Sequence, residues 1–239
     1  MTIGPDIKEA IVEVGTQFSI IRDSGNITGE YLTHASNAQV TKPFIREFFL
    51  EGTMQYDTAA VGGDIIEFGT TGKRYLIAHI TPTLFENEVI RYEVVLYLAN
   101  VLVSILRPFE VRDASSYLMR TGWTTIKAGV SLVLTTPLFG QSLETDQEIG
   151  FLGIQKHEVY APTSYGITYL DRIKIPSTGE YWRVEAVRKH IYEGVDVIDV
   201  GEDVRPSTTT TSTSSSTSST ASTVSSSTIS TTSTTTTTA

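Results

Sequence analysis

The same short pattern occurs twice, 107 positions apart and without a gap: Asp64, Ile66, Phe68, Gly72, Tyr75, Ile77, Ile80, and again Asp171, Ile173, Ile175, Gly179, Trp182, Val184, Val187. Each copy opens on an aspartate and runs apolar residues at a period of two. It then turns at a glycine and returns with the same alternation. A two-residue period sets one face of a strand against a core and the other toward solvent. Two such hairpins at one fixed spacing predict a duplicated β scaffold. The expected fold is mainly β, with two related small β-barrel or β-sandwich units, a short N-terminal helix and an extended C-terminal arm.

The chain changes character at Pro206. From Ser207 to Thr238 every residue is Ser or Thr except Ala221, Val224 and Ile229, and the last residue is Ala239. All charges, net -9, therefore lie before it. The predicted organisation is a first β-rich unit over 1–110, a second over 111–205 and an arm over 206–239. An acidic balance argues against free-standing nucleic-acid binding through a basic surface. There is no cysteine, so disulfides, thiolate metal sites and cysteine nucleophiles are excluded. The N-terminus has three carboxylates and no basic region, unlike a secretory leader. The most apolar run, 94–106, is about half to two-thirds of a membrane span and reads better as a buried strand pair.

Along the chain, Pro5, Asp6, Glu9 and Gly15 predict a helix over 5–14, with Ile7, Ala10, Ile11 and Val14 on one face. A strand over 18–21 and a turn at 23–26 follow. Residues 26–43 read as polar loop and 44–54 as strand or short helix. Strands are expected over 64–68 and 75–80, the latter stopped by Pro82. Long strands follow over 91–98 and 101–107, bent near Asn100. A domain junction is expected at 108–116. Later strands are expected at 124–135 and 149–160, a second hairpin at 167–175 and 181–186, and a last strand at 191–200.

Local catalytic signatures fail on inspection. Gly69-Thr70-Thr71-Gly72-Lys73-Arg74 has two residues between its glycines where a phosphate loop has four, and Arg where magnesium would need Ser or Thr. The histidines, His34, His79, His157 and His190, have no second histidine at metal-binding spacing. There is no G-x-S-x-G turn. Carboxylates are plentiful, but nothing marks a pair for glycoside chemistry. No catalytic, cofactor or metal residue is assigned, and the chain reads as a non-enzyme. Arg172, Lys174, Arg183, Arg188 and Lys189 form the densest basic region, interleaved with Asp171, Glu180 and Glu185. Alternating on strands, they make a solvated face of cross-strand ion pairs, or an interaction surface for an acidic neighbour or DNA. The arm, from Ser207 through Val224 and Ile229 to Ala239, has almost nothing to bury. It reads as a low-complexity end, a stalk without the usual prolines, or a threonine-rich strand added to a neighbouring subunit.

Three stretches carry a resemblance. Glu13-Val14-Gly15-Thr16-Gln17-Phe18-Ser19-Ile20-Ile21-Arg22 resembles the opening of head-to-tail joining proteins of tailed bacteriophages, where a short helix leads into G-x-x-apolar-x-I-x-R. Gly63-Asp64-Ile65-Ile66-Glu67-Phe68 with Tyr75 resembles that family's D-x-I-x-apolar hairpin. So does Leu170-Asp171-Arg172-Ile173-Lys174-Ile175 with Tyr181, Trp182 and Val184. The resemblance covers about 13–107 and 165–200. The length, the second hairpin and the Ser/Thr arm depart from the family. It implies a head-closure (stopper-like) neck protein of the virion, made in the host cytoplasm. Such a protein is a β-barrel forming a homo-oligomeric ring between portal or adaptor and tail. Its partners would be copies of itself, the portal, adaptor and tail proteins, and genomic DNA contacted non-specifically in the channel, with no membrane. Another tail, baseplate or capsid-surface component, or a carbohydrate-active β-protein, are the alternatives.

Overall fold

The computed structural model describes residues 3–36, 49–112, 119–135 and 156–205. Helix α1 (Ile3–Val14) comes first. Six strands follow: β1 (Thr16–Ile21), β2 (Ile27–Ser36), β3 (Phe49–Gln55), β4 (Ile65–Phe68), β5 (Arg74–Phe85) and β6 (Glu88–Leu98). They close into a barrel in the order β1-β2-β3-β6-β5-β4. Six more, β7 (Val101–Arg112), β8 (Met119–Thr135), β9 (Lys156–Pro162), β10 (Arg172–Lys174), β11 (Tyr181–Tyr192) and β12 (Val195–Glu202), close a second. Read as β7-β8-β9-β12-β11-β10, the second order reproduces the first strand for strand. The protein is a mainly β chain of two six-stranded barrels with one topology.

The alternation fixes which side chains fill each barrel. Phe18, Ile20, Ile66, Phe68, Tyr75 and Ile77 point into the first. Ile173, Ile175, Trp182 and Val184 fill the second, at the positions that 66, 68, 75 and 77 hold in the repeat. The backbone repeats as closely. Ile77 N donates to Asp64 O at 2.9 Å, and Val184 N to Asp171 O at 2.9 Å. Gly72 N reaches Phe68 O at 2.8 Å, as Gly179 N reaches Ile175 O at 2.9 Å. Both turn glycines have positive φ, 64° and 77°, where a Cβ would strain the backbone. Closing each sheet on itself pairs the edges of the barrel body, which would otherwise recruit foreign strands; only the hairpins that run beyond it keep open edges.

Several sequence expectations are corrected. Residues 27–36 form β2, not loop, although Leu32 is the one fully buried apolar side chain among those described there. Pairing with β1 and β3 builds the strand. Pro82 does not stop β5, which continues to Phe85 paired with β6. Beyond Leu76 this strand has no β4 partner on its other side, and an open edge tolerates the missing N–H. Pro108 likewise lies within β7, opposite Trp123. The chain passes between barrels at Ala99-Asn100, so 101–110 belongs to the second barrel and not to the first. Asn100 fixes that passage by bonding both the N and the O of Leu134, at 2.8 and 2.7 Å. Strand β10 has three residues, shorter than the expected 167–175. Among the described residues no helix is long and apolar enough to cross a membrane.

Candidate assembly surfaces

The aspartate that opens each repeat is the hub of a clamp. Asp64 accepts from Arg22 Nε at 2.8 Å and Nη2 at 2.5 Å, and from Val61 N at 2.9 Å. Arg22 also donates to Ala59 O at 2.8 Å. The second barrel repeats this with Asp171. It accepts from Arg107 Nε at 3.0 Å and Nη2 at 2.9 Å, and from Thr168 N at 2.8 Å. Arg107 donates to Gly166 O at 2.7 Å. Ala59, Val61 and Asp64 map onto Gly166, Thr168 and Asp171 by the same shift of 107. A planar guanidinium matches a carboxylate two bonds at a time, so each clamp ties the first strand of its barrel to the loop before the fourth. The carboxylate bonds hold both guanidinium groups above their ordinary pKa. The arginines themselves were legible: Ser19-Ile20-Ile21-Arg22 returns as Ser104-Ile105-Leu106-Arg107. That repeat spans 85 positions and escapes an ungapped comparison at 107.

The two barrels join through an apolar patch. Ile65 and Leu76, on the outer face of the first, cluster with Val133 and Val195 of the second, flanked by Ile21, Tyr97 and Tyr160. The Tyr97 and Tyr160 rings meet edge to face at 5.6 Å. At the rim Arg74 donates to Ser131 Oγ at 3.2 Å, and Lys127 pairs with Asp23. Burial, and then the charge of Asp23, push the Tyr165 hydroxyl up to about 12. The β11–β12 turn docks on the loop before β4 so closely that a Cβ on Gly63 would lie 1.9 Å from Gly194 O.

On the second barrel the outer face equivalent to Ile65 and Leu76 holds Arg172 and Arg183. Arg172 was expected on the surface but is completely buried. Its Nε donates to Asp203 at 2.5 Å and its Nη2 to Arg205 O at 2.6 Å. Its guanidinium lies 3.9 Å from the Trp123 ring centre and 5.0 Å from that of Tyr181. Burial alone would raise the Asp203 carboxyl. The bonds from Arg205 and Arg172 outweigh it and hold that group far below the usual carboxylate range. Residues 203–205 thus form a strap over β10, and the arm departs from a fixed point.

The other basic candidates divide. Lys174 lies over Tyr181, Nζ 5.6 Å from the ring centre. Arg183 bonds Glu185 at 2.9 Å. Arg188 bridges Glu158 and Asp199, both at 2.6 Å. Lys189 is exposed beyond them. Lys174 and Arg183 belong to the β10–β11 face, whereas Arg188 and Lys189 lie toward the β11–β12 turn, so the five do not make one surface. Ser207, Val224, Ile229 and Ala239 lie outside the described residues. An open groove over β2, β3, β5 and β6 is flanked by His34, His79, Glu51 and Glu93. Among the described residues no group of three or more His, Cys, Asp or Glu is arranged to hold a metal.

Fold and surfaces together define a tandem-barrel protein with a duplicated arginine–aspartate clamp. No family model matches the chain, and no curated protein matches it. Among solved structures, the apo state of K. pneumonia MrkH is similar at 9% identity over 84% of this chain and 83% of that one. Its TM-score of 0.19 is too low to carry an argument.

Proposed function

We propose that this chain is a structural virion protein of a tailed-phage neck, a ring-forming subunit joining portal or adaptor to tail around the DNA channel. The observation that carries the reading is the clamp. The arginine of the G-x-x-apolar-x-I-x-R opening and the aspartate of the D-x-I hairpin, two separate stretches of the resemblance, meet as Arg22 and Asp64 in one barrel. A rigid barrel with short and long hairpins suits a part whose work is contact, and the Ser/Thr arm would lie along a neighbouring subunit. The second barrel would present a further docking surface to the adjoining ring.

The test is to locate the chain in intact particles. Phage particles from cultures that make the protein are purified, their proteins identified by mass spectrometry, and the neck density fitted with the two barrels. The expected result is a fixed stoichiometry at the head–tail junction. Absence from particles, or recovery only from a soluble non-viral complex, would overturn the proposal.

A further inference from the structure

The joint inside the chain has two halves, and because the barrels repeat, each barrel carries both. One half is a loop and face: Val61-Gly62-Gly63 with Ile65 and Leu76 in the first barrel, and Thr168-Tyr169-Leu170 with Arg172 and Arg183 in the second. The other half is a hairpin tip: 191–195 in the second barrel and 84–88 in the first. The internal joint uses the face of the first barrel and the tip of the second. The remaining tip faces outward, and so do the 168–170 loop and Arg183 of the remaining face, while Arg172 lies covered by the strap. At the free tip Leu84 and Phe85 are 61% and 46% exposed, and at the free loop Tyr169 and Leu170 are 64% and 40% exposed. Val204, on the strap that Arg205 ties to Leu170 O, is 86% exposed beside them.

The free loop keeps the backbone shape of the used one. Leu170 holds φ at 70°, where Gly63 has 84°, although a leucine is strained there. Asn87 at the free tip holds 65°, where Gly194 has 74°. At Asn87 the positive φ is what the two-residue turn requires, but at Leu170 a strained conformation held where the first barrel has glycine points to a use for that shape. The chemistry of the two free halves is complementary. Glu86 and Glu88 are exposed at the tip, and Arg183 on the face is 40% exposed even while bonded to Glu185.

We infer that the β5–β6 tip of one copy docks on the 168–170 loop and the β10–β11 face of the next, repeating between chains the joint made within one. This contact is made by side chains, because Tyr169, Leu170 and Asn87 hold the backbones apart where the glycines let them touch. Leu84 and Phe85 pack on Tyr169, Leu170 and Val204. Glu88 meets Arg183 at the positions that Val195 and Leu76 hold inside the chain. The contact is head to tail, so successive copies close into a ring or run on as a filament. The inference specifies the self-contact of the proposed neck ring and rests on that reading for closure alone.

The chain has no cysteine, which makes the test direct. Full-length Glu88→Cys and Tyr169→Cys variants are mixed and bridged with a short bismaleimide, and the linked peptides are sequenced. The expected product joins 88 of one chain to 169 of another, with 88–88 and 169–169 links at background. A Leu84→Asp/Phe85→Asp variant, altered only at exposed positions, should melt like the parent and self-associate at least about ten-fold more weakly. Homotypic links alone, oligomers indifferent to the double variant, or a full-length chain that stays monomeric at all concentrations would overturn the inference. An 88–169 link in a protein absent from phage particles would keep this joint and end the neck assignment. Particles lacking the link would do the reverse.

Discussion

Asp171→Ala should be the most damaging single change to the second barrel outside its apolar core. The carboxylate is fully buried and accepts four bonds: two from Arg107, one from Thr168 N at 2.8 Å and one from Thr168 Oγ1 at 3.1 Å. Alanine leaves the Thr168 N–H without its acceptor, at about 1–3 kcal/mol. It also removes a bidentate charged pair. Losing one partner of a buried pair costs about 3–5 kcal/mol. Arg107 is 39% exposed and can turn to water, which places the sum near the lower end, about 3 kcal/mol. For a folded unit of this size that lowers Tm by about 6–12 °C. Both tryptophans, Trp123 and Trp182, are in the second barrel, so their fluorescence during urea unfolding reports that barrel directly. Arg107→Ala and the double variant complete a cycle, with an expected coupling of about 1.5–2 kcal/mol. Single effects that add within about 0.5 kcal/mol, or a loss below about 1 kcal/mol for Asp171→Ala, would refute the clamp as the fastening of the barrel.

Gly63→Ala adds a Cβ 1.9 Å from Gly194 O at a φ of 84°, so it should cost at least about 3 kcal/mol and separate the barrels, seen as a larger scattering radius. Gly72→Ala, at φ 64° with nothing within 4 Å, should cost only about 1 kcal/mol by urea unfolding. Leu170→Gly should raise monomer stability by about 0.5–1 kcal/mol by relieving a φ of 70°, while the cross-link between 88 and 169 becomes weaker. Asp203 has a depressed folded pKa, so its stabilisation is present above its unfolded value of about 3.9 and is lost as pH falls toward the folded one. Asp203→Asn should therefore flatten the dependence of urea stability on pH below about 4. Removing 207–239 should leave the melting of the barrels unchanged and, if the chain is the proposed virion subunit, reduce its retention in purified particles.

The duplicated hairpin was legible because its determinants are local: a period of two, a glycine at the turn and an aspartate at the entry. Ile66, Phe68, Tyr75 and Ile77, and their partners at 173, 175, 182 and 184, fill the two barrels as the alternation requires. Features set by distant partners were not legible. Strand β2 brings few apolar side chains to the core, Ile27 and Leu32 among its described residues, and is made by its neighbours. Pro82 and Pro108 resemble stops unless it is known that their strands run beyond a partner. Arg172 resembles a surface charge until Asp203 and Trp123, distant in sequence, cover it. The boundary between barrels was hidden inside the apolar run 94–106, since β6 and β7 are both core strands and only Asn100 marks the change.

Divergence between the repeats accounts for a permanent joint within the chain and, in the proposed assembly, a conditional one between chains. Had both faces kept glycine and apolar side chains, the tip of the second barrel could have docked on its own face in another copy as readily as on the first barrel beside it. In the second barrel Gly62-Gly63 is replaced by Tyr169-Leu170, and Ile65 and Leu76 by Arg172 and Arg183. Arg172 is held down by the strap, which denies that face the dry, close contact made at the first. Within the chain, covalent linkage supplies a high effective concentration, and the glycine joint forms as the barrels fold. The proposed contact between chains would form from charged and exposed side chains, so it is expected to be weaker and to respond to concentration and salt. In the proposed assembly, a subunit that folds first and associates afterwards requires that order of strengths.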